Sequence, residues 1–219
     1  MAAVTVTGGT GYIGRSLIRQ LVAQAHDVTA LVRPQSQSKV PGGARIVEGS
    51  ALDAGDVARS LSTGCTLILL VGTPHASPSK AAQFQAVDLA SVKAAAEAVR
   101  RVTPAHIIYV SVAHPAPVME SYIAVRKEGE RLLKDTRVPL TVLRPWYVLG
   151  PGHRWPLVLL PAYKLFEMIP SKRDTALRLG LVTHRQMVAA LAAATTASLP
   201  APFRVLDVPA IRAVDPWAE

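Results

Sequence analysis

Gly8, Gly11 and Gly14 recur at every third position of the segment Thr7-Gly8-Gly9-Thr10-Gly11-Tyr12-Ile13-Gly14, and Gly9, Gly11 and Gly14 also satisfy the spacing G-x-G-x-x-G. The chemistry such a run can do is anion binding. One glycine permits a tight turn, another lets backbone N–H groups approach a pyrophosphate, and the last allows the following helix to pack closely on the preceding strand. The N-terminus of that helix then faces the anion. Gly8, Gly9, Thr10, Gly11, Tyr12, Ile13 and Gly14 are therefore candidates for holding the diphosphate of a dinucleotide, an ordinary glycine-rich strand-to-helix turn being the competing reading.

About 20 residues further on, where a site selective for NAD would place a carboxylate on the adenosine ribose, stands Arg33. A guanidinium cannot accept from a 2′-hydroxyl but makes a paired contact with a 2′-phosphate, and Arg15 and Lys39 add charge nearby. This favours NADP(H), with NAD(H) as second choice; a solvated strand-end cation is the plainer alternative. Asp53 could accept from the adenine amino group or cap the helix that follows. Three loop histidines offer acid–base chemistry near neutral pH: His75 in Gly72-Thr73-Pro74-His75, His114 in Val112-Ala113-His114-Pro115, and His153, which Arg154 and Trp155 follow. His114 is the preferred catalytic candidate among them, against the reading of a hydrogen-bonded loop histidine.

A scaffold must hold these groups, and the alternation of short β-branched runs with longer 3.6-period stretches supplies one. Strands are expected over Ala3 to Thr7, Asp27 to Val32, Arg45 to Val47, Thr66 to Val71, His106 to Ser111 and Leu140 to Leu143. Helices are expected over Tyr12 to Gln24, Asp56 to Leu61, Lys80 to Arg101 and Met119 to Asp135, the third with Ser77 as N-cap and Pro78 at its first position. The implied fold class is α/β: a Rossmann-like doubly wound parallel sheet whose ligands lie beyond the carboxyl ends of its strands. Gly72 and Thr73 after the fourth strand and Pro145 after the sixth would then border the cofactor. After Gly150, Pro151, Pro156, Pro161 and Pro170 break the alternation. Residues 1–152 thus read as the dinucleotide-binding domain and 153–219 as a small C-terminal substrate-side appendage, with a late helix over His184 to Ala197 and a final strand over Phe203 to Val208 that returns to the sheet.

The 219 residues, 50% hydrophobic and 18% charged, suffice for one buried core with an appendage and exclude a disordered chain. The longest apolar runs, Cys65 to Val71 and Met187 to Ala194, fall short of the ~18 residues a spanning helix needs. No signal peptide precedes the first strand, so the cytoplasm is the expected location. Cys65, the single cysteine, reads as a small buried residue, and His26, His106 and His184 lack ligand spacing, so neither a disulfide nor a metal site is expected. A net charge of +9 favours anionic partners, but the Lys and Arg residues form no aromatic-interleaved cluster, and nucleic acid is not expected.

Thr-Gly-Gly-Thr-Gly-Tyr-Ile-Gly at 7–14, Leu-Val-Arg at 31–33, Tyr-Val-Ser at 109–111 and Leu-Arg-Pro-Trp-Tyr-Val-Leu-Gly-Pro-Gly at 143–152 carry a family likeness. Over residues 1 to about 152 the chain resembles the atypical and extended short-chain dehydrogenase/reductase superfamily, including its NmrA-like and nucleoside-sugar epimerase-like branches. The resemblance implies a catalytic core of a serine with a Tyr-x-x-x-Lys pair; Ser111 and Tyr122 match the first two, and Arg126 stands where the lysine would be. A cation one helical turn from a phenol lowers its pKa and assists proton exchange with a substrate oxygen. Arginine supplies that charge but cannot hand on a proton, and Lys127 is rotated off the face. A buried aromatic stripe with Val125, Gly129 and Leu132 is the alternative reading of Tyr122. The resemblance also implies a paired-helix homodimer as one oligomeric form.

The leading expectation is an NADP(H)-dependent oxidoreductase or epimerase acting on a small carbonyl, hydroxyl or sugar-like substrate. A nucleotide-binding redox sensor or assembly partner without turnover is the alternative. A third reading puts Trp155 to Pro170, with Leu157, Leu159, Leu160, Leu165 and Phe166 beside Lys164, at a membrane surface; the prolines there favour a pocket wall.

Overall fold

The computed structural model describes residues 1–74, 76–151, 170–197 and 201–214. Seven parallel strands form its main sheet: β1 (Ala3–Thr7), β2 (Asp27–Val32), β3 (Arg45–Glu48), β4 (Thr66–Leu69), β5 (His106–Val110), β6 (Leu140–Leu143) and, late in the chain, β9 (Phe203–Leu206). Their order is β3-β2-β1-β4-β5-β6-β9. The chain first winds outward from β1 to β3 and then, from β4, in the opposite direction, so the switch point lies between β1 and β4. The doubly wound parallel sheet read from the sequence is the observed architecture.

Strand period and helix period divide the core into two layers. On one face, Val4, Val6, Ile68 and Ile108 pack against α1 (Tyr12–Ala23), α7 (His184–Thr196) and α8 (Val208–Ala213). On the other, Leu67, Leu69, Ile107 and Tyr109 meet α4 (Ala90–Arg101) and α5 (Glu120–Lys134), while Leu31 packs with Val57 of α2 (Ala54–Ser60). His106, buried at the start of β5, bonds through Nε2 to the Thr141 hydroxyl at 2.9 Å.

The structure departs from the expected elements in four places, one of them the final strand, expected to reach Val208, which ends at Leu206 while Val208 opens α8. The helix expected from Lys80 to Arg101 is broken into a 3₁₀ turn at Pro78–Lys80, the short α3 (Ala81–Gln83), a π-helical stretch at Phe84–Leu89, and α4. Widening the turn buries Phe84, Asp88 and Leu89 together, and Asp88 finds a charged partner, Arg126, inside. Ser77 bonds to the Ser79 hydroxyl and caps nothing with its side chain. Finally, beyond β6 the chain forms β7 (Tyr147–Leu149), which pairs in parallel with β8 (Leu181–Thr183) after α6 (Pro170–Arg178); neither three-residue strand was read from the sequence. α7 lies against α1, and β9 pairs with β6, so this late part of the chain adds to both a face and an edge of the main sheet. Among the described residues no helix is long and apolar enough to cross a membrane.

Candidate active site

The glycine-rich turn lies at the switch point. Gly8 has φ +74°, and a Cβ there would meet the backbone of Leu70 at 2.7 Å and of Val71 at 2.9 Å. A Cβ on Gly14 would come within 2.4 Å of the Gly8 carbonyl oxygen. The first turn of α1 thus stacks on the loop, and neither position accepts a side chain. Gly11 is the N-cap of α1 and has no side chain to bond the first-turn N–H groups. Those of Tyr12, Ile13 and Gly14 belong to the uncapped positive end of a twelve-residue helix, the arrangement that suits a phosphate anion. Gly9 is buried below the turn, close to the Ile18 side chain.

Gly8, Thr10, Gly11, Arg33 and Gly72 line one cavity of about 350 Å³. Five cofactor candidates from three separate chain segments therefore face the same space. Ser36 and the run Gly49 to Leu52 also line that cavity and were not singled out in the sequence. Arg33 projects from the end of β2 as an exposed side chain, while Lys39 ends the following 3₁₀ turn (Pro34–Lys39) without lining the cavity. Two expectations shift here. Asp53 caps α2, its carboxylate accepting from Asp56 N–H at 2.8 Å, and it is the preceding Ser50, Ala51 and Leu52 that border the cavity. Arg15 points into a different cavity, on the far side of α1.

Behind Gly72 sits a buried ionic cluster. Arg126 is 5% exposed and Asp88 fully buried, paired at 2.6 Å. The guanidinium also donates to the Val110 carbonyl at 3.0 Å and to the Tyr109 hydroxyl at 3.3 Å. Burial alone would depress its pKa, but Tyr122, Tyr109 and Asp88 more than offset that, and the charge is retained. Asp88 in turn accepts from both the N–H and the hydroxyl of Thr73, at 3.0 and 2.6 Å. A Cβ on Gly72 would strike Arg126 Nη2 at 2.4 Å, so the guanidinium lies immediately behind a residue of the cavity wall. The Tyr122 ring stacks against Phe84 at 4.9 Å and sits 5.0 Å from the Arg126 guanidinium. Arg126 therefore touches both the tyrosine and the groove wall, but spends its hydrogen bonds on the protein interior.

Ser111 takes part in a second cluster. Its hydroxyl, at the end of β5, donates to Glu130 Oε1 at 2.6 Å. Glu130 also accepts from Arg144, through Nε at 3.0 Å and through a second, close contact from Nη2. His114 Nε2 stands 3.5 Å from the same carboxylate without the alignment of a hydrogen bond. Burial, followed by the charge of Arg144, holds the His114 pKa below its ordinary value, so the ring is neutral at pH 7. The Pro145 carbonyl accepts from Ala113 N–H at 2.9 Å, which ties the loop carrying His114 to the end of β6. His114 and Arg144 line a further cavity of about 390 Å³ with Asp174, Arg178 and Asp207.

Sequence reasoning missed Glu130 and Asp88. A signal for Glu130 was present: Tyr122, Arg126 and Glu130 are spaced by four and share one face of α5. Asp88 carried no such signal, since its partners lie 15 and 38 residues away. His75, His153, Arg154, Trp155 and most of the apolar 155–170 stretch lie outside the described residues. No cluster of three metal-ligating side chains occurs among the described residues.

Residues 8–161 match the family described as NAD(P)H-binding, and the chain belongs to that family. Among curated relatives, it is 30% identical over 157 residues to divinyl chlorophyllide a 8-vinyl-reductase of Oryza sativa subsp. indica, covering 65% of this chain and 39% of that one. It is 26% identical over 175 residues to ceramide reductase of Caulobacter vibrioides, covering 79% and 55%. The chain spans between 39% and 57% of the length of such relatives. In solved structures it is similar to MoeE5 in complex with UDP-glucose and NAD, with a TM-score of 0.67, 20% identity, and coverage of 93% of this chain and 75% of that one. UDP-glucuronic acid 4-epimerase from Bacillus cereus in complex with NAD gives a TM-score of 0.65 at 16% identity, covering 94% and 77%. These likenesses establish a fold of the short-chain dehydrogenase/reductase type.

Proposed function

We propose that the chain is an NADP(H)-dependent oxidoreductase acting on a small carbonyl, hydroxyl or sugar-like substrate. The observation that carries this reading is the cavity wall itself, where Arg33 rather than a carboxylate stands at the end of β2, and Gly72 is backed by the Arg126 guanidinium that Tyr122 overlies. The residues present fit a dinucleotide: Gly8 and Gly14 leave room for close backbone approach, the first turn of α1 takes the diphosphate, and Arg33 with Ser36 takes the 2′-phosphate. When bound, the nicotinamide supplies or accepts the hydride.

The chain's own residues handle the proton. Tyr122 exchanges it with the substrate oxygen, and the Arg126 guanidinium 5.0 Å from its ring is a fixed charge that does not itself give up a proton. The Ser111 hydroxyl, turned into Glu130, offers the substrate lone pairs rather than its hydrogen. His114, neutral and beside the 390 Å³ cavity, is the second candidate acid or base. Support for a reductase comes from the family and from relatives that are named reductases. The commitment of Arg126 and Ser111 to buried partners favours a second reading, a cofactor-binding sensor without turnover. NADPH oxidation over a panel of small ketones, aldehydes and quinones separates the two. The oxidoreductase reading expects turnover that Tyr122→Phe lowers by about 100-fold or more with NADPH affinity unchanged; no turnover with any carbonyl, in protein that binds NADPH, contradicts it.

A further inference from the structure

Among the described residues, a cavity of about 700 Å³ on the outer side of α1 shares no lining residue with the cofactor groove. Arg15 and Arg19 reach it from successive turns of α1, His184 and Arg185 from the first turn of α7, and Leu149 and Pro151 supply apolar wall. Among the described residues no acidic side chain lines it. Some exposed helical arginines elsewhere are matched along their own helix, Arg59 with Asp56, Arg101 with Glu97 and Arg131 with Glu128 and Asp135, whereas Arg100 of α4, like Arg15 and Arg19, has no such match among the described residues. The side chains of Arg15 and Arg19 form no ion pair or hydrogen bond among the described residues. Like charges at i, i+4 repel, and a cation near the positive end of a helix is unfavourable, so α1 carries a double electrostatic cost here. No acid in its first turn relieves it.

The two helices that bear these charges are fixed to each other. The His184 ring packs on Tyr12 with centroids 4.5 Å apart, and its Nε2 donates to the Tyr12 carbonyl at 3.1 Å. A capping box between Thr183 and Gln186 satisfies the start of α7, so the positive character of the cavity comes from guanidinium groups rather than from a bare helix end.

We propose that this cavity is a second anion site, taking a phosphate-bearing ligand with at least two negative charges and an apolar attachment that lies on Leu149 and Pro151. Arg15 and Arg19 bind the charge, each guanidinium offering paired N–H donors, and Arg185 on the opposite wall adds positive charge. The phosphate belongs either to a soluble compound or to a lipid headgroup.

Inorganic pyrophosphate, titrated calorimetrically into protein whose groove is already saturated with NADPH, is the direct probe. The site predicts binding that Arg19→Glu with Arg185→Glu weakens by about tenfold or more, while NADPH affinity and the thermal midpoint hold. Arg19→Gln with Arg185→Gln is the milder pair should charge reversal prevent folding. Co-sedimentation with phosphatidylcholine vesicles containing phosphatidylglycerol, competed by pyrophosphate, assigns the headgroup; pyrophosphate binding without vesicle binding assigns a soluble ligand. Pyrophosphate that binds only when NADPH is absent, or equally well to both variant pairs, overturns the proposal.

Discussion

Arg126 shows how one residue type redirects a site. Its planar fork reaches three acceptors at once: the Asp88 carboxylate, the Val110 carbonyl and the Tyr109 hydroxyl. A lysine ammonium has no comparable geometry. The cation therefore belongs to the interior as much as to Tyr122, and Asp88 is what makes its burial tolerable. Removing one member of a buried pair leaves an uncompensated charge and costs about 3–5 kcal/mol. Asp88→Ala is expected to lower the unfolding free energy by an amount in that range in urea denaturation. It also frees Thr73, whose N–H and hydroxyl both end on Asp88, so NADPH affinity falls with stability. A loss below about 1 kcal/mol would show that Asp88 and Arg126 are independently solvated.

At the scale of elements, legibility followed the length and regularity of each pattern. β1, β2 and β6 keep the bounds read from the sequence, because apolar or alternating runs ended by glycine, arginine or proline leave little choice of register. The glycine turn was legible because its φ and its close contacts demand residues without Cβ. The π-helical stretch was not, since Phe84, Val87 and Val92 fit an ordinary 3.6-residue period and the reason for the wider turn is Asp88, whose partners are set by the tertiary fold. β7 and β8 are three residues each and gain meaning only from pairing with one another across α6. In the candidate site, positions on strand ends and helix faces were readable, but side-chain direction was not: Ser111 is where the family likeness implies and yet turns its hydroxyl to Glu130. Asp53 was open between two roles that spacing alone cannot separate, and the hydrogen bond to Asp56 gives it the cap.

For the molecule as a whole, two quantities expose the account to measurement: stability against pH, and selection of the cofactor. Burial, and then the charge of Arg204, lowers the His106 pKa from about 6.5 to about 4. Between those values the unfolded chain binds a proton that the folded chain does not, so the contribution is complete above about pH 6.5 and is lost as pH falls toward about pH 4. The expected loss from this residue is on the order of 2 kcal/mol, read as a drop in urea midpoint that His106→Gln, which cannot titrate, reduces. An identical acid dependence in that variant would assign the loss to other groups. The central claim is that a backbone cradle and a guanidinium together select a phosphorylated dinucleotide, and equilibrium titration of NADPH and NADH into the wild-type chain and Arg33→Ala tests it most directly. A paired, charge-assisted contact worth about 1.5–3 kcal/mol predicts NADPH binding roughly 10–100-fold tighter than NADH, with the preference abolished in Arg33→Ala and NADH affinity unchanged. Equal affinities in the wild type, or a preference that survives the substitution, would contradict it.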